Sequence, residues 1–324
     1  MNSKPKQYEI NSVDIENWFA LPIEERNRLN NEIIDEVILP WRVMVRRSKK
    51  HPLPGLAGFH LIFFHIPKTG GTTLDYLTAK NYRIDYVYQV NAPAFDQHVA
   101  GVYKNNQMFR VLMGHYELND YFYQLFDRPK MVQFTMLREP VSRVISYYDY
   151  LRTSPNHPKY NIAKDLSLEE FVIHPEIDEM PNGQSYRILG LLRESTWKKS
   201  DKSEQQLVEE SQYQLEKRFT LFGLTEMYDH FLLMAQRGLG WKDIFYKRMN
   251  SSKVKTDKST VSDDTIQLIK KQNRVDVELY DFAKQLFMKR FEQMGLTEKM
   301  VETYRENNKK YTDLLNTQVQ STIA

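Results

Sequence analysis

The sequence predicts an α/β protein: a three-layer α/β/α domain around a central, mostly parallel sheet, with helical extensions at its N- and C-terminal ends. Two observations predict this class. Apolar runs of strand length alternate along the chain with amphipathic runs of helix length, the rhythm of a parallel sheet covered on both faces. The first apolar run, FHLIFFHI at 59–66, shows no polar alternation, as expected of a strand buried on both sides.

The elements follow in order. Residues 11–47 read as helical, with Leu21-Pro22 opening an acidic first turn and Pro40 ending or kinking the pattern. RRSKKHPLPG at 46–55 is a basic, Pro- and Gly-rich link. Strand 59–66 is followed by the helix TTLDYLTAKN, and further strands are MFRVLMG at 108–114, MVQFTML at 131–137 and FTLFGLT at 219–225. EPVSRVISYYDYLR is a helix with Pro140 in its first turn, where proline is tolerated. LSLEEFVI is a short helix and EQQLVEESQYQLEKR an amphipathic one. MYDHFLLMAQRGLG is closed by Gly238 or Gly240, and residues 262–295 form a long helical pattern with a break near Asn273. The last thirty or so residues are polar with weak periodicity, which predicts fraying. The expected division is 1–57 as a helical N-terminal extension and basic linker, 58–297 as the α/β domain, and 298–324 as a polar C-terminal tail.

Composition narrows the function. The chain has 324 residues, 41% hydrophobic and 27% charged, and a net charge of +3. That charge is too small for a nucleic-acid binder but allows a local basic cleft. With no cysteine, disulfides, thiolate metal sites and cysteine nucleophiles are excluded. No apolar stretch approaches the roughly 18 residues of a membrane span, and the N-terminus lacks a signal-peptide pattern. The expectation is a soluble, cytoplasmic protein that is not an integral membrane protein.

In a parallel sheet, ligands bind beyond the carboxyl ends of the strands, so the strand ends hold the candidate residues. Strand 59–66 runs into Pro67-Lys68-Thr69-Gly70-Gly71-Thr72-Thr73. Adjacent glycines bring backbone N–H groups near an anion, the following helix adds its positive end, the threonines offer hydroxyls and Lys68 a full charge. The loop is P-loop-like, yet its lysine precedes the glycines, whereas the nucleotide-triphosphate loop places it after them. Strand 131–137 ends at Arg138, which can fork onto a phosphate at the start of the next helix, where Ser142 and Ser146 share a face. Two such sites imply a ligand with two separate anionic groups. Strand 108–114 ends at His115, whose ordinary pKa suits a general base. His65 is read as strand packing, and Thr225-Glu226 either touch the nucleotide or cap a helix. No strand ends in the aspartate that manages Mg²⁺ in phosphotransferases, and no metal-ligand spacing appears, so no metal requirement is expected.

With these residues in view, the chain resembles the carbohydrate sulfotransferases related to heparan sulfate 2-O- and 6-O-sulfotransferases. HIPKTGGTTL resembles their 5′-phosphosulfate loop, LREPVSRVISYY their 3′-phosphate motif R-[DE]-P-x-x-R-x-x-S-x-[YF], and Gly114-His115 the segment with their catalytic histidine. FGLTEMYDHFLLMAQRGLGW and VDVELYDFAKQLF resemble later landmarks, so the resemblance covers about Phe59 to Phe291. It implies 3′-phosphoadenosine 5′-phosphosulfate (PAPS) as donor. Lys68, Thr69, Gly70, Gly71, Thr72 and Thr73 would hold the phosphosulfate, and Arg138 and Ser146 the 3′-phosphate. His115 and Lys68 would be catalytic. Relatives carry Asn then Q-x-R in mid-chain; here the arginine of Asn182-Gly183-Gln184-Ser185-Tyr186-Arg187 falls one place late, with Gln184 and Arg187 as expected acceptor contacts. A Golgi-resident relative would need an N-terminal anchor. The acceptor is a hydroxyl, of a glycan or otherwise of a lipid or small metabolite. A P-loop kinase-like phosphotransferase and a non-catalytic nucleotide- or glycan-binding module are the alternatives, and the oligomeric state stays open. Aromatic clusters such as YFYQLF (121–126) and SYYDYL (146–151) read as packing.

Overall fold

The computed structural model describes residues 43–44, 61–82, 87–91, 111–115, 118, 130–177, 179–191, 201–247 and 255–323. At the centre of the sheet lies β2 (Leu61–Phe64). It pairs in parallel with β4 (Val111–His115) on one side and β5 (Lys130–Leu137) on the other, with Phe64 opposite Gly114 and Thr135. β3 (Val87–Asn91) lies parallel outside β4, and β6 (Leu221–Leu224) parallel to the end of β5. β1 (Val43–Met44) runs antiparallel to the start of β5.

This order puts the reversal of strand progression at β2. The chain leaves β2 for the β3 edge, returns through β4, then crosses to β5 on the far side. All five parallel strands therefore present their carboxyl ends along one edge, and the crevice at the reversal lies beyond β4, β2 and β5. Every side chain of β2 is 1% exposed or less, as its unbroken apolar run requires, and Phe63 stacks on Phe134 at 4.7 Å.

Among the described residues ten helices surround the sheet, consistent with three layers. α1 (Gly71–Asn81) follows β2, and α2 (Pro140–Arg152) follows β5 with Pro140 at its start. α3 (Tyr160–Ala163), α4 (Leu168–Ile173) and α5 (Gly183–Leu189) come next. α6 (Glu204–Arg218) opens on a Ser203/Gln206 capping box and leads into β6. α7 (Tyr228–Leu239) ends at Gly240, left-handed at φ 70°. α8 (Asp263–Gln272) and α9 (Arg274–Gln293) are separated at Asn273, as the sequence predicts. Val141, Val144 and Ile145 of α2 join Phe171 of α4 and Ile269 of α8 in a second apolar cluster beside the main core.

Two expectations change. Val43 and Met44 lie within the segment read as helix, yet they form a strand: pairing with β5 supplies their backbone partners, overriding local periodicity. The C-terminal segment, expected to fray, is the helix α10 (Glu298–Ile323). Val301, Tyr304 and Tyr311 form a buried stripe on it, and Tyr304 Oη donates to the Ile244 carbonyl at 2.7 Å. Three apolar residues among many polar ones suffice because they fall on one helical face. The rest of the expected N-terminal helix, the basic link and the YFYQLF cluster lie outside the described residues.

Candidate active site

The turn after β2 is built for close approach. Gly70 takes φ 85° and forms the N-cap of α1, with no side chain capping the helix. The first N–H groups of α1 have no intrahelical partners and point into the crevice end of the sheet. Lys68 itself is left-handed at φ 67°. Gly71 is required for a different reason: a Cβ there would lie 1.9 Å from His65 Nε2, so the imidazole packs directly on the loop backbone. Of the threonines, Thr72 is exposed and Thr73 buried. Thr69 is buried, and its hydroxyl donates to the Ile66 carbonyl at 2.8 Å, so it stiffens the turn and leaves only its N–H for a ligand. Thr225 Oγ1 bonds the carbonyl oxygens of Thr69 (2.7 Å) and Leu137 (3.0 Å), tying the turn to the end of β5.

Arg138, at the end of β5, reaches the same place. Its Nη1 donates to the Lys68 carbonyl at 3.1 Å. Lys68 Nζ sits 4.4 Å from the centre of the Tyr150 ring. Burial and the neighbouring Arg138 charge hold the Lys68 pKa below its usual value, with Asp149 opposing them. Asp149 is occupied elsewhere, accepting from Thr256 N (2.8 Å) and Thr256 Oγ1 (2.7 Å).

The start of α2 differs from the sequence reading. Glu139 caps it, accepting from Val141 N at 3.1 Å, Ser142 N at 2.9 Å and Ser142 Oγ at 2.6 Å. Lys258 Nζ pairs with the same carboxylate at 2.6 Å. The helix N-terminus is thus filled by the protein's own anion, and the half-buried Ser146 lies one turn further on. Gln184, expected as an acceptor contact, serves the backbone. It is 1% exposed, and its amide binds the Arg138 backbone in both directions, Oε1 accepting from N and Nε2 donating to O, each at 2.9 Å. Both ends of its amide are thus taken up in bracing Arg138.

His115 ends β4. Its Nδ1 lies 2.7 Å from the His65 carbonyl, and the two imidazole rings are 4.3 Å apart. A carbonyl only accepts, so Nδ1 carries the hydrogen and Nε2 keeps its lone pair. Burial, then the His65 and Arg187 charges, push the His115 pKa down to about 4, against its bond to the His65 carbonyl and the charge of Glu179. The imidazole is therefore neutral at pH 7. His65, read as packing, is drawn into the site: it stacks on Phe63 at 5.4 Å and faces Asp75 Oδ2 at 3.5 Å.

Sequence reasoning missed the charged centre beneath these groups. Glu179 is 3% exposed and bridges two arginines, Arg143 through Oε2 and Arg187 through Oε1, the latter at 2.8 Å from Arg187 Nε. Arg143 Nε also donates to the Pro67 carbonyl at 3.2 Å. Arg143 is the second arginine of the quoted 3′-phosphate motif, which was the available signal; Glu179 had none. Asp276 was missed as well: its carboxylate accepts from Gln184 N (3.1 Å) and Ser185 N (2.7 Å), capping α5 from α9.

The profile of the galactose-3-O-sulfotransferase family matches residues 59–320. The chain belongs to this family. The match extends past the expected limit at Phe291 and takes in most of α10. Among individual galactose-3-O-sulfotransferase relatives, a mouse protein, galactose-3-O-sulfotransferase 3, is 23% identical over 52% of this chain and 40% of its own length. Heparan-sulfate 6-O-sulfotransferase 1 of Cricetulus griseus is 25% identical over 72% of this chain and 68% of its own. The Drosophila melanogaster heparin sulfate O-sulfotransferase is 24% identical over 69% and 71%. The chain thus spans less than half of one of these relatives and about two thirds of the others. The expected cytoplasmic location does not stand, because the sulfotransferases of this kinship are Golgi-resident enzymes. Among the described residues no helix is long and apolar enough to cross a membrane, and no cluster of metal-binding side chains occurs.

Proposed function

We propose that this member of the galactose-3-O-sulfotransferase family transfers a sulfuryl group from PAPS to a hydroxyl of a carbohydrate. The observation that carries the reading is the 3.1 Å contact between Arg138 Nη1 and the Lys68 carbonyl. It sets two cations from two strand ends beside the uncapped start of α1, which has no acidic residue in its first turn. That donor set fits a nucleotide with anionic groups at two positions. Lys68 and the N–H groups of Thr69 to Thr73 hold the phosphosulfate; Arg138 and Ser146 hold the 3′-phosphate. When bound, PAPS supplies the sulfuryl group and adenosine 3′,5′-bisphosphate as the leaving group.

The protein's own contribution is to place charge and to move one proton. His115, neutral and with Nδ1 tied to the His65 carbonyl, takes the acceptor hydroxyl proton on Nε2. Lys68 stabilises negative charge at the transferring group; preorganised donors of this kind are worth about 3 kcal/mol each. Arg187, whose charge acts on His115, is the residue we assign to the acceptor. The printed names of the relatives point to galactose and to heparan sulfate as acceptor classes.

The test is a nucleotide and acceptor screen. Thermal shift should favour adenosine 3′,5′-bisphosphate over ADP and ATP. Labelled sulfate should pass from PAPS to galactose-terminated oligosaccharides or heparan sulfate without added metal. Preference for ATP, with Mg²⁺-dependent phosphate transfer, would overturn the reading in favour of a kinase.

A further inference from the structure

The segment from Glu179 to Arg187 holds both donor-side turns, and nothing in the donor chemistry itself calls for it. Through Gln184 it grips the backbone of Arg138. Through Glu179 and Arg143 it grips the carbonyl of Pro67, the residue before Lys68. The backbone closes tightly on this centre: a Cβ at Gly183 would lie 2.7 Å from Glu179 Oε2 and 2.8 Å from Arg143 Nη1. The far end of the segment is fixed in turn, with Asn182 N donating to Asn273 Oδ1 at 2.9 Å and Asp276 capping α5.

Two arginines sharing one buried carboxylate leave a net positive charge. A buried triad of this kind is generally no more stabilising than apolar residues of equal volume. Its place suggests another use. The triad is also felt at the base: the Arg187 charge lowers the His115 pKa and the Glu179 charge raises it.

Building on the reading above, we propose that Glu179 is a positioning residue. By gripping Arg143 and Arg187 at once, its carboxylate fixes the turn that carries Lys68 together with Arg187, and so sets the donor side of the crevice against the acceptor side.

The experiment uses the whole chain and Glu179→Gln, which keeps shape and removes charge. Calorimetry should show adenosine 3′,5′-bisphosphate binding roughly tenfold weaker than to wild type, and turnover should fall roughly 100-fold, the scale of a small misplacement away from the chemistry. NMR titration of the His115 imidazole separates positioning from mere loosening. Losing the carboxylate while Arg187 remains should move the titration below the wild-type value. A loosened, hydrated site would move it up, towards the ordinary histidine value. Unchanged nucleotide affinity, or a titration that is unmoved or raised, overturns the proposal. If Glu179→Gln does not fold, Arg187→Gln is read instead: the imidazole should titrate higher and the acceptor KM should rise with the donor KM unchanged, and failure of either overturns it. The titrations need no ligand. If wild type does not bind the bisphosphate, that counts against the PAPS reading, and the titration still decides the role of Glu179.

Discussion

The backbone carbonyl of His65 accepts a hydrogen bond from Nδ1 of His115 at 2.7 Å, joining the ends of two neighbouring parallel strands. The bond makes a tautomer a property of the fold: the proton stays on the nitrogen facing the sheet, and the basic lone pair faces the crevice. Replacing His115 by alanine should lower turnover by roughly 10²–10⁴-fold, the usual contribution of general base catalysis. Adenosine 3′,5′-bisphosphate affinity should stay near wild type, because that nucleotide is assigned to other residues. Steady-state kinetics with calorimetry on the same variant checks both halves.

The depressed pKa of His115 sets a pH dependence. With both substrates well below saturation, kcat/KM should stay level from pH 8 to near 5 and fall as the pH approaches about 4, where the imidazole takes up a proton. The sign for stability follows from the same displacement. Between its ordinary 6.5 and about 4, His115 is protonated in the unfolded chain and neutral in the folded one. Stability is therefore full above 6.5 and is lost as the pH falls through that window, by roughly 3 kcal/mol at most. Urea denaturation at pH 7.5 and 4.5 should show a smaller loss for His115→Gln than for wild type.

Gly71 and Gly70 should respond differently to alanine. At Gly71 the new methyl meets the His65 ring at 1.9 Å, so the imidazole must leave its place against the loop and beside His115. We expect a loss of roughly 1–3 kcal/mol, as for other overpacked sites, and a drop in turnover. At Gly70 the nearest contact is 3.3 Å, to the Tyr228 ring, and the cost is the left-handed backbone, about 1 kcal/mol. Thermal denaturation and kinetics of the two variants should separate them.

Arg138→Ala should weaken adenosine 3′,5′-bisphosphate binding about 10- to 100-fold, since charge-assisted hydrogen bonds contribute ~1.5–3 kcal/mol. AMP, which lacks the 3′-phosphate, should be affected much less. Lys68→Ala should reduce both nucleotide affinity and turnover. Competition calorimetry with the two nucleotides makes the comparison; equal losses for both at Arg138→Ala would detach that residue from the 3′-phosphate.

The docking of α10 is testable without any ligand. Tyr304 stacks on Phe245 at 5.8 Å and donates to the Ile244 carbonyl. Tyr304→Ala should cost about 3 kcal/mol, as for other buried aromatic residues, and Tyr304→Phe about 1 kcal/mol for the lost hydrogen bond. Chemical denaturation measures both; a neutral Tyr304→Ala would mean that the helix adds nothing to the fold.

The sequence by itself determined what local chemistry encodes. Apolar runs marked β2, β4, β5 and β6, unbroken in β2, and the helical period marked α6 from Glu204 to Arg218. Asn273 marked the break between α8 and α9, and the residues at the strand ends named Lys68, His115 and Arg138. Elements without an apolar run escaped it: β3, VYQVN, and α5, GQSYRIL, mix polar and apolar residues so that neither period stands out. Only the tertiary structure decided which of the candidate side chains serve the fold. Gln184 turned inward because the backbone of Arg138 needed a partner, Glu139 took the helix start that a phosphate was expected to occupy, and Glu179 found arginines 36 and 8 residues away. The reason is that a helix or turn is stabilised largely by neighbours in the chain, whose identities can be read. The pairing of a buried polar atom is chosen among groups brought together by folding, and no local pattern records that choice.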